Sequence, residues 1–123
     1  MPDLPQQGEV WRVRLDPGIG DEIGKTRPCV VVSSPNVGRL ALRIIVPITD
    51  WKESFAAYSW MTRLEPDTQN GLTKTSAADG FQVRSVSLLR FVDKLGTVST
   101  EIYFKKSKPP FISPLKFSDT TPP

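Results

Sequence analysis

Apolar and polar residues alternate with a period of two along much of this chain, the pattern of strands with one buried face. The first such run is Glu9 to Leu15, where Trp11, Val13 and Leu15 fall on one side and Arg12 and Arg14 on the other. It predicts a half-buried strand with Trp11 in the core. Asp16 to Arg27, DPGIGDEIGKTR, holds three glycines, one proline and five charged residues. Such a segment cannot be a core element and predicts a mobile loop. Pro28 opens CVVVSS, an apolar, β-branched run that predicts a strand buried on both faces, with a turn at Asn36 to Gly38.

From Arg39 the alternation returns, and Leu40, Leu42, Ile44, Val46 and Ile48 are expected to share one buried face. Farther on, Tyr58, Trp60, Thr62 and Leu64 share a face, and Asn70-Gly71 marks a turn. Phe81, Val83 and Ser85 alternate with Gln82, Arg84 and Val86, after which Ser87 to Lys94 has room for about two helical turns before Gly96. Short strands with little helix predict a mainly β barrel or sandwich. Beyond residue 105 the lysines at 105, 106 and 108 lead into a proline-rich stretch. The expected organisation is one domain over 1–104 and an extended tail over 105–123, docked through Phe111, Ile112, Leu115 and Phe117.

Composition narrows the chemistry. With 123 residues, 38% of them hydrophobic, the chain can bury one modest core. A formal charge of +3 is compatible with a polyanionic partner. The lone cysteine, Cys29, excludes an internal disulfide and any multi-cysteine zinc site. Zero histidines remove the commonest general acid/base and every Ser-His or Cys-His arrangement. The amino terminus has no basic region followed by an apolar run, and Leu40 to Ile48, broken by Arg43 and Pro47, is far too short for a membrane span. A soluble, cytoplasmic protein is expected.

Taken in order, GEVWRVRLDP, the glycine-bearing loop, KTRPCVVVSS, VPIT and FQVRSVS resemble the MazF/PemK family of toxin endoribonucleases. The likeness runs from Gln7 to Gly96 and lies in the order and spacing of these segments, since each alone recurs by chance. It implies a small SH3-like barrel with short helices. It also implies a homodimer that cuts single-stranded RNA without metal or cofactor and is neutralised by a cognate antitoxin. Arg27 of TRP and Thr49 of PIT match the family's catalytic arginine and threonine. Asp21, Glu22 and Lys25 match the loop bordering the RNA groove, and Gln82 and Arg84 match polar positions facing it. Phe81 departs from the pattern, because several relatives place an acid directly before the glutamine. Asp79, on the same face by alternation, is the candidate to supply that charge. The tail departs too, since relatives close with a helix.

The residues themselves suggest how such a site would work. Cleavage by the neighbouring 2′-hydroxyl requires a proton acceptor, a proton for the leaving 5′-oxygen and compensation of charge on phosphorus. Arg27 offers a permanently charged fork that fits phosphate oxygens, so charge stabilisation is its most economical role. Proton removal falls to a carboxylate, to water, or to Arg27 in an unusual environment. Thr49 has no activating partner and suits hydrogen bonding to phosphate. Trp51, beside Thr49 in a polar stretch, is a candidate base platform, with burial about equally consistent. Cys29, in an apolar strand, reads as a small core residue. A reading from another class remains: the same barrel as a non-catalytic binding module, or as a gyrase-directed toxin of the CcdB kind.

Overall fold

The computed structural model describes residues 4–37 and 39–99. The tail expected at 105–123, with its proposed docking residues, lies outside them. Seven strands make up the described chain: β1 (Glu9–Arg14), β2 (Thr26–Val31), β3 (Leu42–Asp50), β4 (Met61–Leu64), β5 (Ser76–Asp79), β6 (Arg84–Ser87) and β7 (Phe91–Thr97). They pair antiparallel in the order β4-β5-β3-β2-β1-β7, with β6 added beside β3. The mainly β expectation holds; among the described residues the path ends at β4 and β7 and leaves the barrel open. The helical content there consists of short 3-10 turns at Pro35–Val37, Glu53–Ala57, Gly80–Gln82 and Leu88–Arg90. None is long and apolar enough to cross a membrane.

Alternation along the central strands divides the core in two. Val10, Val30, Val46, Ile48, Leu64 and Ala78 form one buried cluster. Val13, Leu15, Cys29, Val31, Ile45 and Val86 form the other, with Trp11 and Phe91, edge to face on each other, packed against it. The CVV run is thus buried on both faces, as its unbroken apolar character predicts. Burial raises the Cys29 thiol to about 12, against a smaller opposing pull from Arg84, so the residue behaves as a protonated hydrophobe.

Three local expectations are overturned. Leu40, Leu42 and Ile44 are exposed, whereas Arg43 is buried. Its guanidinium donates to the carbonyls of Pro5 (2.9 Å), Leu40 (2.7 Å) and Leu42 (2.8 Å), which compensates the buried charge and turns the apolar side of β3 outward there. Ser87 to Lys94 is one 3-10 turn followed by β7, because pairing with β1 outweighs the weak local helical preference. Strand β2 begins at Thr26 instead of Pro28, which carries Arg27 out of the loop and into the sheet.

The loop between β1 and β2 is extensively tied down. Asp16 Oδ1 accepts from the Lys25 N–H (2.6 Å), and the Lys25 carbonyl accepts from Leu15 (2.8 Å). These two bonds hold Lys25 in a left-handed conformation, φ 64°, which a side chain adopts at a cost of roughly 1–2 kcal/mol. Arg90 reaches the Asp16 carbonyl at 2.7 Å from the far side.

Candidate active site

Strand β3 changes partners along its length, and that change opens the site. Its middle residues pair with β2 through the rungs Val31↔Ile45, Val30↔Val46 and Cys29↔Pro47. Val32 donates to the Ile44 carbonyl, so by alternation Pro28 is the next β2 residue whose N–H would face β3; lacking that N–H, it stops the ladder from continuing in the usual way past this point. Beyond it β2 stays with β1, while β3 crosses to β5 through Ile48↔Ala78, Thr49↔Ala77 and Asp50↔Ser76. Two residues outward from the last rung lie Arg27 on β2 and Thr49 on β3, with matching parity on their strands.

Both residues line one cleft of about 330 Å³. Arg27 is half-buried, and among the described residues its one hydrogen bond runs from Nε to the Gly24 carbonyl at 3.4 Å. The two Nη groups have no partner there. The half-buried Thr49 hydroxyl also has no partner among the described residues. A charged fork and a neutral hydroxyl therefore face the same space with donors to spare, a combination suited to phosphate oxygens. Arg12 and Lys74 add positive charge at the rim. Asp93 holds Arg12 in a paired geometry (2.8 and 2.6 Å), and the same contact keeps the Asp93 carboxyl below its ordinary range. Asp50 accepts from Lys74 at 3.1 Å and is the one carboxylate lining this cleft.

A second cleft, of about 550 Å³, lies between the β1–β2 loop and the start of β6. Asp21, Glu22 and Ile23 form one wall; Phe81, Gln82, Val83 and Arg84 form the other, and Pro47 lies in its lining. Pro47 has the parity of Thr49 on β3, so the strand that supplies Thr49 to the first cleft also borders the second. Gln82 spends its amide inside the protein: Oε1 accepts from the Ile23 N–H (2.7 Å) and Nε2 donates to the Asp21 carbonyl (3.0 Å). This clamp fixes the loop segment whose next residue, Gly24, supports Arg27. The Arg84 guanidinium, by contrast, has no hydrogen-bond partner among the described residues, while its backbone pairs with Ile45 of β3.

The sequence-derived candidates thus fall into three groups. Arg27 and Thr49 meet in the first cleft, while Asp21, Glu22, Gln82 and Arg84 gather in the second. Lys25, Trp51 and Asp79 line neither. Asp79 is 6% exposed and caps the 3-10 turn by accepting from the Phe81 N–H at 3.0 Å. That turn breaks the alternation that would have put it beside Phe81, which is 66% exposed. Burial raises the Asp79 carboxyl above its ordinary range, against the lowering effect of bonds from Phe81 and Gln82. Trp51 packs edge to face on Phe55 and lies under the Arg63 guanidinium, 5.2 Å from the ring centre. Sequence reasoning missed Lys74 and Asp50, whose approach depends on β5, and treated Phe81 only as a departure.

Comparison with known proteins agrees with this architecture. Residues 6–105 match the family described as PemK-like, MazF-like toxin of type II toxin-antitoxin system. Endoribonuclease MazF9 of Mycobacterium tuberculosis is 33% identical over 102 residues, covering 78% of this chain and 84% of that protein. The crystal structure of MazF (Form-I) from Deinococcus radiodurans superposes with a TM-score of 0.73 at 20% identity, over 94% of this chain and 99% of the other. An endoribonuclease in complex with its cognate antitoxin, from a mycobacterial species, superposes with a TM-score of 0.64 at 19% identity, over 91% and 95%.

Proposed function

The chain belongs to the PemK-like, MazF-like toxins of type II toxin-antitoxin systems, and from that premise we propose that it cuts single-stranded RNA in the cleft shared by Arg27 and Thr49. The toxin is an endoribonuclease. The observation that carries the site assignment is the pair of unpartnered groups, the Arg27 Nη donors and the Thr49 hydroxyl, facing one cleft from the point where two strands separate.

In this reading a phosphodiester enters the cleft and the neighbouring 2′-hydroxyl attacks phosphorus. Arg27 takes the charge that accumulates on the non-bridging oxygens, using a fork tethered at Nε to the Gly24 carbonyl and partly shielded from water. Thr49 donates a hydrogen bond to the same phosphate and fixes its orientation. Lys74 supplies a second positive charge at the rim. Attack by the 2′-oxygen expels the 5′-oxygen, leaving a 2′,3′-cyclic phosphate on one product and a 5′-hydroxyl on the other. Cys29 takes no part, since its thiol is buried and stays protonated. Asp21, Glu22 and Arg84 border the groove that receives the flanking nucleotides.

The antitoxin is the protein partner of this toxin, which the fold it shares with an endoribonuclease solved beside its antitoxin supports, and a homodimer is its working form. The toxin unit spans 1–104, with 105–123 as an appended tail, and we assign its action on RNA to the cytoplasm. Purified, antitoxin-free protein incubated with a long single-stranded RNA in excess EDTA tests the reading. Cleavage with cyclic-phosphate ends, lost in Arg27→Ala, is the expected result. RNA left intact by folded wild-type protein refutes it, and arrested DNA supercoiling under the same conditions would identify a gyrase-directed toxin instead.

A further inference from the structure

Five aromatic rings form an unbroken series on one side of the protein. Trp51 meets Phe55 (ring centres 5.8 Å apart), Phe55 meets Tyr58 (6.4 Å), Tyr58 lies flat on Trp60 (4.7 Å, 6° between planes), and Trp60 meets Phe81 (5.2 Å). Neither buried cluster includes any of them or has any of them packed against it. Phe81 and Tyr58 remain 66% and 41% exposed. Two exposed rings backed by three half-buried ones mark a place where something else binds.

The ends of the series identify what that is. Trp51 stands two residues past Thr49 of the first cleft, and Phe81 is itself a wall of the second. At the Trp51 end the Arg63 guanidinium overlies the indole, and at the Phe81 end Arg84 borders the cleft. Flat rings flanked by guanidinium groups are the surface on which unpaired bases stack, and a strand running between the two clefts has these rings beside its path. We propose that this series is a stacking track for the unpaired bases of single-stranded RNA between the Arg27/Thr49 cleft and the Gln82/Arg84 cleft, with the exposed rings of Tyr58 and Phe81 receiving the bases and Trp51, Phe55 and Trp60 holding those rings in place. The proposal rests on the RNA-cutting reading above. It gives Phe81 a positive role, as a ring that holds a base where relatives of the resembled pattern place an acid.

The test separates this inference from that reading. A fluorescently labelled single-stranded RNA carrying 2′-O-methyl groups throughout cannot be cut, because its attacking hydroxyls are blocked, so its anisotropy reports binding alone. Phe81→Leu and Tyr58→Leu, which keep apolar bulk and remove the ring, should each weaken binding by about tenfold, within the range for loss of one base stack. Phe81→Trp should keep wild-type affinity or improve it. Thermal melts of each variant establish that the fold persists. Wild-type affinity in both leucine variants overturns the track, whether or not unmodified RNA is cut. Ring-dependent binding by a wild-type protein that fails to cut unmodified RNA sustains the track and refutes the nuclease. Unchanged RNA affinity with altered self-association in sedimentation overturns it too, and would make the rings a protein-covered surface.

Discussion

Arg27 and Thr49 stand two residues outward from the Cys29–Pro47 rung, on strands that have just parted, and both line the opening between them. Proximity here is a consequence of pairing register. Each strand is anchored on its other side, β2 by β1 and β3 by β5, so neither can swing away without breaking a ladder. Groups held by two rigid elements keep their aim, which is what charge stabilisation in a transition state demands.

Arg27→Ala should lower RNA cleavage by roughly 100- to 1000-fold, the range for one well-placed charged donor. Arg27→Lys should recover only part of this, since a point charge cannot supply two parallel bonds. Single-turnover cleavage rates, with thermal melts confirming the fold, check both.

Thr49→Ala should cost less, about tenfold, because a neutral hydrogen bond contributes less than one to a charged group. Thr49→Ser should restore most of the rate and Thr49→Val, of similar shape without the hydroxyl, should not. Equal rates in the valine and wild-type proteins would remove Thr49 from the mechanism.

Gln82→Ala removes both bonds that fix the loop at Asp21 and Ile23. At about 1 kcal/mol per bond, the Ile23 amide should exchange with solvent at least roughly tenfold faster. Gln82→Glu, able to accept from Ile23 but not to donate to Asp21, should fall between. Native-state hydrogen exchange read at Ile23 distinguishes the three proteins.

The raised Asp79 carboxyl gives a pH test with a definite sign. Burial favours its protonated form in the folded state, so its contribution to stability is fullest below the ordinary carboxyl value, about 4, and declines as pH rises through the raised value. Asp79→Asn keeps an oxygen for the Phe81 N–H and carries no charge. It should be at least as stable as wild type at neutral pH, with the difference shrinking towards pH 4. Urea unfolding at both ends of that range would show it, and an asparagine protein that loses stability specifically at neutral pH would contradict it.

Much of this was legible in the chain because local preference and final structure agree. The alternation of Val13 and Leu15, the doubly buried Cys29 to Val31 run and the Asn70-Gly71 turn, with Gly71 at φ 71°, emerge as expected. Disagreements have tertiary causes. Strand β5, SAAD, contains two alanines and little β-branched character, and is a strand because β3 and β4 lie on either side of it. Arg43 looked like an interruption of an apolar face because no local rule foresees three backbone carbonyls converging on it. The site shows the same division. Arg27 and Thr49 could be singled out by motif, but their shared cleft depends on register, and Lys74 reaches it through β5. The ring series could not be read from spacing, because its members come from the residue after β3, two separate 3-10 turns and the connection into β4.

Pro28 places the mouth of the cleft in the main chain. An opening made by an absent amide hydrogen does not depend on which side chains surround it. In the proposed reading, the residues along its margins are therefore free to change, and with them the preferred nucleotide sequence, while the place of cutting stays put. A toxin built this way can acquire new targets without having to reinvent its cutting edge.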